Sequence, residues 1–140
     1  MQYLNLDYLY THAFERAVAE STNDFAATLE NLEAETISLV KTYLSQYYDI
    51  DLIFSSTEPI ENGVLKKIIT KIILYEAVRR NAYRKVPADY KEDYGWAMET
   101  LEKLNTGKLT LQDLPPKTNA NGSTKETLLW GNLSNKNYYI

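Results

Sequence analysis

The stretch IENGVLKKIITKIILYEAVRR, Ile60 to Arg80, decides the fold. Val64, Leu65, Ile68, Ile69, Ile72, Ile73, Leu74, Tyr75, Ala77 and Val78 leave only a narrow polar strip at Lys66, Lys67, Thr70 and Lys71. A helix apolar around most of its circumference must be covered on most sides. The spacing therefore predicts a helix from about Glu61 to Asn81 at the centre of the molecule, with other elements packed around it.

Downstream, Pro87 ends what precedes it and suits a helix start, because proline has no backbone donor to lose there. Tyr90, Tyr94, Ala97, Leu101 and Leu104 follow the helical repeat, and Gly107 supplies a permissive C-terminal cap, so a helix is expected from Ala88 to Thr106. Trp96 lies about 120° from that stripe. It either lies along a neighbouring helix or is offered to a partner.

Upstream, Asn5-Leu6-Asp7 places capping oxygens before Tyr8, Leu9, His12, Ala13, Ala17 and Val18, predicting a first helix over about residues 6 to 20. From Ala26 to about Tyr48, Leu29, Leu32, Leu39, Val40, Tyr43, Leu44 and Tyr47 recur at helical spacing, with Glu30, Glu33, Glu35 and Lys41 on other faces. The segment from Asp49 to Phe54 alternates polar with apolar, and is either a short strand or a loop that tucks Ile50, Leu52 and Phe54 inward.

After Leu114, the run Pro115 to Ser123 is polar and rich in breakers, reading as a linker. The chain then ends in Leu128, Leu129, Trp130, Leu133, Tyr138, Tyr139 and Ile140, an aromatic composition unlike that of a disordered tail. The expected organisation is a helical domain over residues 1–114 followed by a linker and extended C-terminal tail over 115–140. The fold class is all-α, a compact bundle of about four helices around the central apolar helix.

The net charge of −4 conceals an asymmetry. Residues 1–62 hold two basic and eleven acidic side chains, and residues 63–108 hold ten basic and six acidic. The resulting −9 and +4 either neutralise each other within one molecule or draw copies together head to tail. Twelve tyrosines and two tryptophans favour interfaces as well as cores, since they bring large area and a polar tip. Trp96, Trp130, Tyr138 and Tyr139 are assigned to contacts between subunits, with intramolecular packing of the tail as the alternative. Arg79, Arg80, Arg84 and Lys85 complete the candidate interface.

The chain has no cysteine, which excludes disulfides, thiolate metal sites and a cysteine nucleophile. Its opening lacks the layout of a secretory signal, and no run approaches the length of a membrane span. An intracellular, soluble product without membrane contact is expected. His12, the single histidine, is read as a packed or rim residue, because a base needs an orienting partner and a metal site needs several ligands. Asp49 and Asp51, with Glu58 and Glu61, lack the ligand spacing and turn glycine of a calcium loop. No phosphate loop, nucleophile elbow or His-Glu-x-x-His helix occurs, so no catalytic, cofactor or metal site is expected. The cluster from Arg79 to Lys85, with Tyr83 among the bases, is the one candidate for contact with DNA. Basic residues at a helix C-terminus are also favoured by the helix dipole without any ligand.

Taken together, Tyr3 to Leu9, Leu44 with Tyr47-Tyr48-Asp49, the apolar Ile68 to Arg80 helix, the Arg84-Lys85-Val86-Pro87 junction, and Tyr94, Ala97, Leu101 and Gly107-Lys108 resemble a family. That family is an uncharacterised-domain family of Mu-like prophages, encoded among head and tail genes. The likeness spans about residues 1 to 114, and the arginine of that pattern stands here as Gln46. The resemblance implies a small all-α protein similar to phage head-tail connector, or neck adaptor, subunits. Such a subunit is non-enzymatic and forms homo-oligomeric rings between portal and tail proteins, as a virion component made in the bacterial host cytoplasm. Ser134 to Ile140 resembles the tails with which such adaptors reach onto neighbours. The alternative is a small helical DNA-associated or regulatory protein using Arg79 to Lys85.

Overall fold

The computed structural model describes residues 3–13, 26–80 and 86–117. Among them are five helices and no strand: α1 (Leu6–His12), α2 (Ala26–Leu44), α3 (Ile50–Ile53), α4 (Gly63–Arg79) and α5 (Ala88–Thr106). The fold is all-α, and α4 is its centre, in contact with α1, α2 and α5. Leu65, Ile68, Ile69, Ile72, Ile73, Leu74 and Ala77 are all buried. Each of the larger ones contributes about 1.5–3 kcal/mol by leaving water.

The start of α4 is secured locally. The Asn62 side chain accepts from the backbone N–H groups of Val64 and Leu65 at 3.0 and 3.1 Å, satisfying donors that the first turn leaves free. Tyr3 holds the same corner from afar: its hydroxyl donates to the Ile60 carbonyl at 2.9 Å and accepts from the Asn62 N–H at 3.2 Å. Burial keeps the Tyr3 phenol above its ordinary pKa, so it remains a donor well into alkaline solution.

Four sequence expectations are corrected. The first helix stops at His12, where Ala13 is extended with φ −150° and ψ 150°. Only Leu9 on this helix is fully buried, and Ala17 and Val18 of the expected stripe lie outside the described residues. The segment from Asp49 is neither strand nor loop. Asp49 caps the single helical turn α3 by accepting from the Leu52 N–H at 3.3 Å. Helical geometry turns Ile53 and Phe54 inward and leaves Leu52 54% exposed, where alternation had placed it inside.

The third correction is Glu33, assigned to a solvent face but only 2% exposed. One carboxylate oxygen accepts from the backbone N–H groups of Tyr3 and Leu4 at 2.8 and 2.6 Å, binding the N-terminal segment to α2. The fourth is Thr70, placed on the polar strip but fully buried, its hydroxyl without a hydrogen-bond partner among the described residues. Thr70→Val is expected to raise unfolding stability by about 1 kcal/mol, read by urea denaturation, because an isosteric methyl replaces a buried unsatisfied hydroxyl.

Helix α5 has the predicted limits. It ends at Gly107, whose φ of 78° is left-handed backbone that favours glycine. The Tyr47 ring lies against this glycine, and the Tyr48 hydroxyl accepts from the Leu111 N–H at 2.7 Å. Leu111 and Leu114 are thereby held in the core. Pro115 to Lys117, the first residues of the expected linker, run antiparallel to residues 47–49: the Asp49 N–H donates to the Pro115 carbonyl at 3.0 Å and the Lys117 N–H to the Tyr47 carbonyl at 2.9 Å.

Candidate functional site

The polar strip of α4 meets the flanks of α1 and α5. The Lys66 ammonium pairs with Glu61 at 3.1 Å and lies 5.3 Å from the centre of the Tyr8 ring on α1. Lys71 pairs with Asp93 on α5 at 2.8 Å. Between these, the exposed Lys67 ammonium stands 5.1 Å from the Trp96 ring, a cation–π arrangement. Among the described residues Lys67 has no carboxylate partner. The contacts of Lys67 with Trp96 and Lys71 with Asp93 also show that α4 and α5 run antiparallel.

His12 lies at the same junction, its ring 5.2 Å from that of Tyr8. Desolvation lowers its pKa, with the charges of Lys71 and Lys67 acting in the same direction and Asp93 partly opposing them. The imidazole is therefore neutral at neutral pH and adds no charge to the lysines beside it. Its setting is that of a rim residue packed on a tyrosine.

Trp96 lies along a neighbouring helix, which supplies Lys67, and its indole stays 38% exposed. Arg79 and Arg80 lie elsewhere. Arg79 is twelve positions beyond Lys67, about 18 Å along the axis at the helical rise, so the arginines lie at a different level of α4 from the Lys67–Trp96 contact. Arg79 pairs with Glu76 at 3.7 Å, and Arg80 donates to the Thr28 hydroxyl at 3.1 Å. Tyr75 and Tyr94 stack at 4.1 Å between the two levels, and burial raises the Tyr94 pKa, with Glu76 adding to it. Arg84, Lys85, Trp130, Tyr138 and Tyr139 lie outside the described residues.

The sequence did not point to α3 as part of a site. Leu52 is more exposed than any other large apolar side chain of the described residues, and Asp51 beside it and Glu58 beyond it are exposed too. Neither has a cationic partner among the described residues. The nearby Lys41 directs its ammonium to the Phe54 ring, 5.8 Å from its centre. The available signal was Asp49 three residues before Leu52, an N-cap spacing that converts alternation into a helical turn.

Among the described residues no group of three or more histidine, aspartate or glutamate side chains is arranged to hold a metal ion, and no helix is long and apolar enough to cross a membrane. Comparison with protein-family models, curated proteins and solved structures gave no match.

Proposed function

We propose that this protein is a structural, non-enzymatic subunit that works by associating with copies of itself and with neighbouring assembly proteins. The observation that carries the reading is Trp96, a large aromatic side chain left 38% exposed on α5 beside Lys67, which has no carboxylate partner among the described residues. Tryptophan in such a setting is the kind of anchor that dominates binding energy at protein interfaces. The split between an acidic N-terminal half and a basic central segment supports association between unlike surfaces of identical chains.

Within that class, the resemblance to Mu-like prophage head-tail proteins favours a connector subunit. It would form a ring between portal and tail proteins, made in the host cytoplasm and carried in the virion. The DNA-associated alternative rests on Arg79 to Lys85, and its two described arginines are engaged by Glu76 and Thr28.

Sedimentation velocity of the purified chain, alone and with portal protein, tests the reading. Association that weakens with added salt, and is reduced by deleting residues 116–140, is expected, because screening weakens contacts between exposed charges. A salt-insensitive monomer that ignores portal protein refutes it.

A further inference from the structure

We infer that the α3 corner of one copy, with Leu52 as its apolar knob, Asp51 next to it in the chain and Glu58 in the loop that follows, docks onto the Lys67–Trp96 surface of a second copy. The inference rests on the self-association proposed above and names the two faces that meet. Its basis is a match in both apolar and charged character. Leu52 is 54% exposed and Trp96 38% exposed. Asp51 and Glu58 lack cationic partners among the described residues, while Lys67 lacks an anionic one.

Both faces are preorganised. Asp49 caps the α3 turn, fully buried Ile53 anchors it, and the Ile60 N–H ties the following loop to the Ile53 carbonyl at 3.0 Å. Leu52 is therefore presented on a fixed turn, which spares the ordering cost of a mobile loop. On the other face, Trp96 projects from the middle of α5, where the chain N-terminal to it is already held by the Lys71–Asp93 pair. Lys67 offers its ammonium at the ring, so an incoming carboxylate meets a charge and an incoming leucine meets an aromatic surface.

The two faces belong to different elements, and the Asp51 and Glu58 carboxylates are opposite in sign to the Lys67 ammonium, with exposed Glu92 lying one turn before Trp96 on the second face. Their contact is therefore heterologous, and each added copy leaves one face of each kind unoccupied until the assembly closes. A nucleic acid would find Lys67 and Trp96 suitable but not the acidic corner, whose exposed leucine it leaves unexplained.

The test adds Lys67→Glu or Leu52→Glu to the full native chain for all association measurements. Trp130→Phe is introduced only for the Trp96 fluorescence readings, once its own association has been matched to that of the native chain. Both added changes are at exposed positions, and circular dichroism checks the fold; Asp51→Lys examines the same corner should Leu52→Glu unfold. Each single change is expected to weaken self-association by about tenfold or more. An equimolar mixture of the two should form a heterodimer and stop there, since one intact face of each kind remains, and its Trp96 emission should shift to the blue.

Undiminished association in both variants overturns the inference while leaving self-association in place. No association of the parent chain, even with portal protein, removes both. Quenching of Trp96 by a single-stranded oligonucleotide at physiological salt, lost in Lys67→Glu, overturns the choice of a second copy as occupant.

Discussion

Replacing Glu33 by alanine is expected to lower unfolding stability by about 2–4 kcal/mol, because two buried backbone N–H groups lose their acceptor. Those groups belong to Tyr3 and Leu4, both buried, and the residues that follow them form α1. The loss should be concentrated at that end of the chain. Hydrogen exchange is expected to accelerate at the Tyr3 and Leu4 amides before the amides of α4 are affected, since local opening exposes only the contacts that fail. Glu33→Gln keeps an acceptor oxygen at the same reach and should retain most of the stability. Equal destabilisation by the two substitutions, with uniform exchange across the chain, would show that the N-terminal segment is held by something other than this carboxylate.

The second large effect is Ile73→Ala, expected to cost about 2–5 kcal/mol in urea denaturation. Ile73 is fully buried on α4, which α2 and α5 cover from two sides and α1 from another. Neighbours packed against three other helices cannot collapse freely into the space, so the cavity cost adds to the lost transfer energy. Val64→Ala on the same helix is the control. Val64 is 37% exposed, and its truncation is expected to change stability by about 0.5 kcal/mol or less. Similar losses at the two positions would mean that α4 is not enclosed as described.

The parts of the fold that were legible in the sequence are those fixed by neighbours in the chain. Helix α5 spans the expected Ala88 to Thr106 because Pro87 and Gly107 act through their own backbones. The centrality of α4 followed from an apolar circumference, which has no stable solution on a surface. Trp96 was legible as a candidate because the helical repeat placed it off the buried stripe. Lys67 was not, since its position over the indole depends on the pairing of α4 with α5.

Polar residues mark the limit of that reasoning. Glu33 falls four positions from both Leu29 and Ile37, on the buried stripe of α2, yet a glutamate alone reads as solvent-facing. What admits it to the core is a pair of amides 30 and 29 residues earlier. Thr70 was placed on a polar strip for the same reason, and only the enclosure of α4 shows its hydroxyl to be buried.

By itself, then, the sequence determined an all-α fold, its central helix and the ends of its last described helix, because periodicity and backbone stereochemistry act over a few residues. Tertiary structure alone decided that Glu33 fastens the N-terminal segment, that Leu52 faces outward on a capped turn, and that Lys67 stands over Trp96. These depend on the distances between segments far apart in the chain, and hydrophobic pattern carries no record of which segments meet.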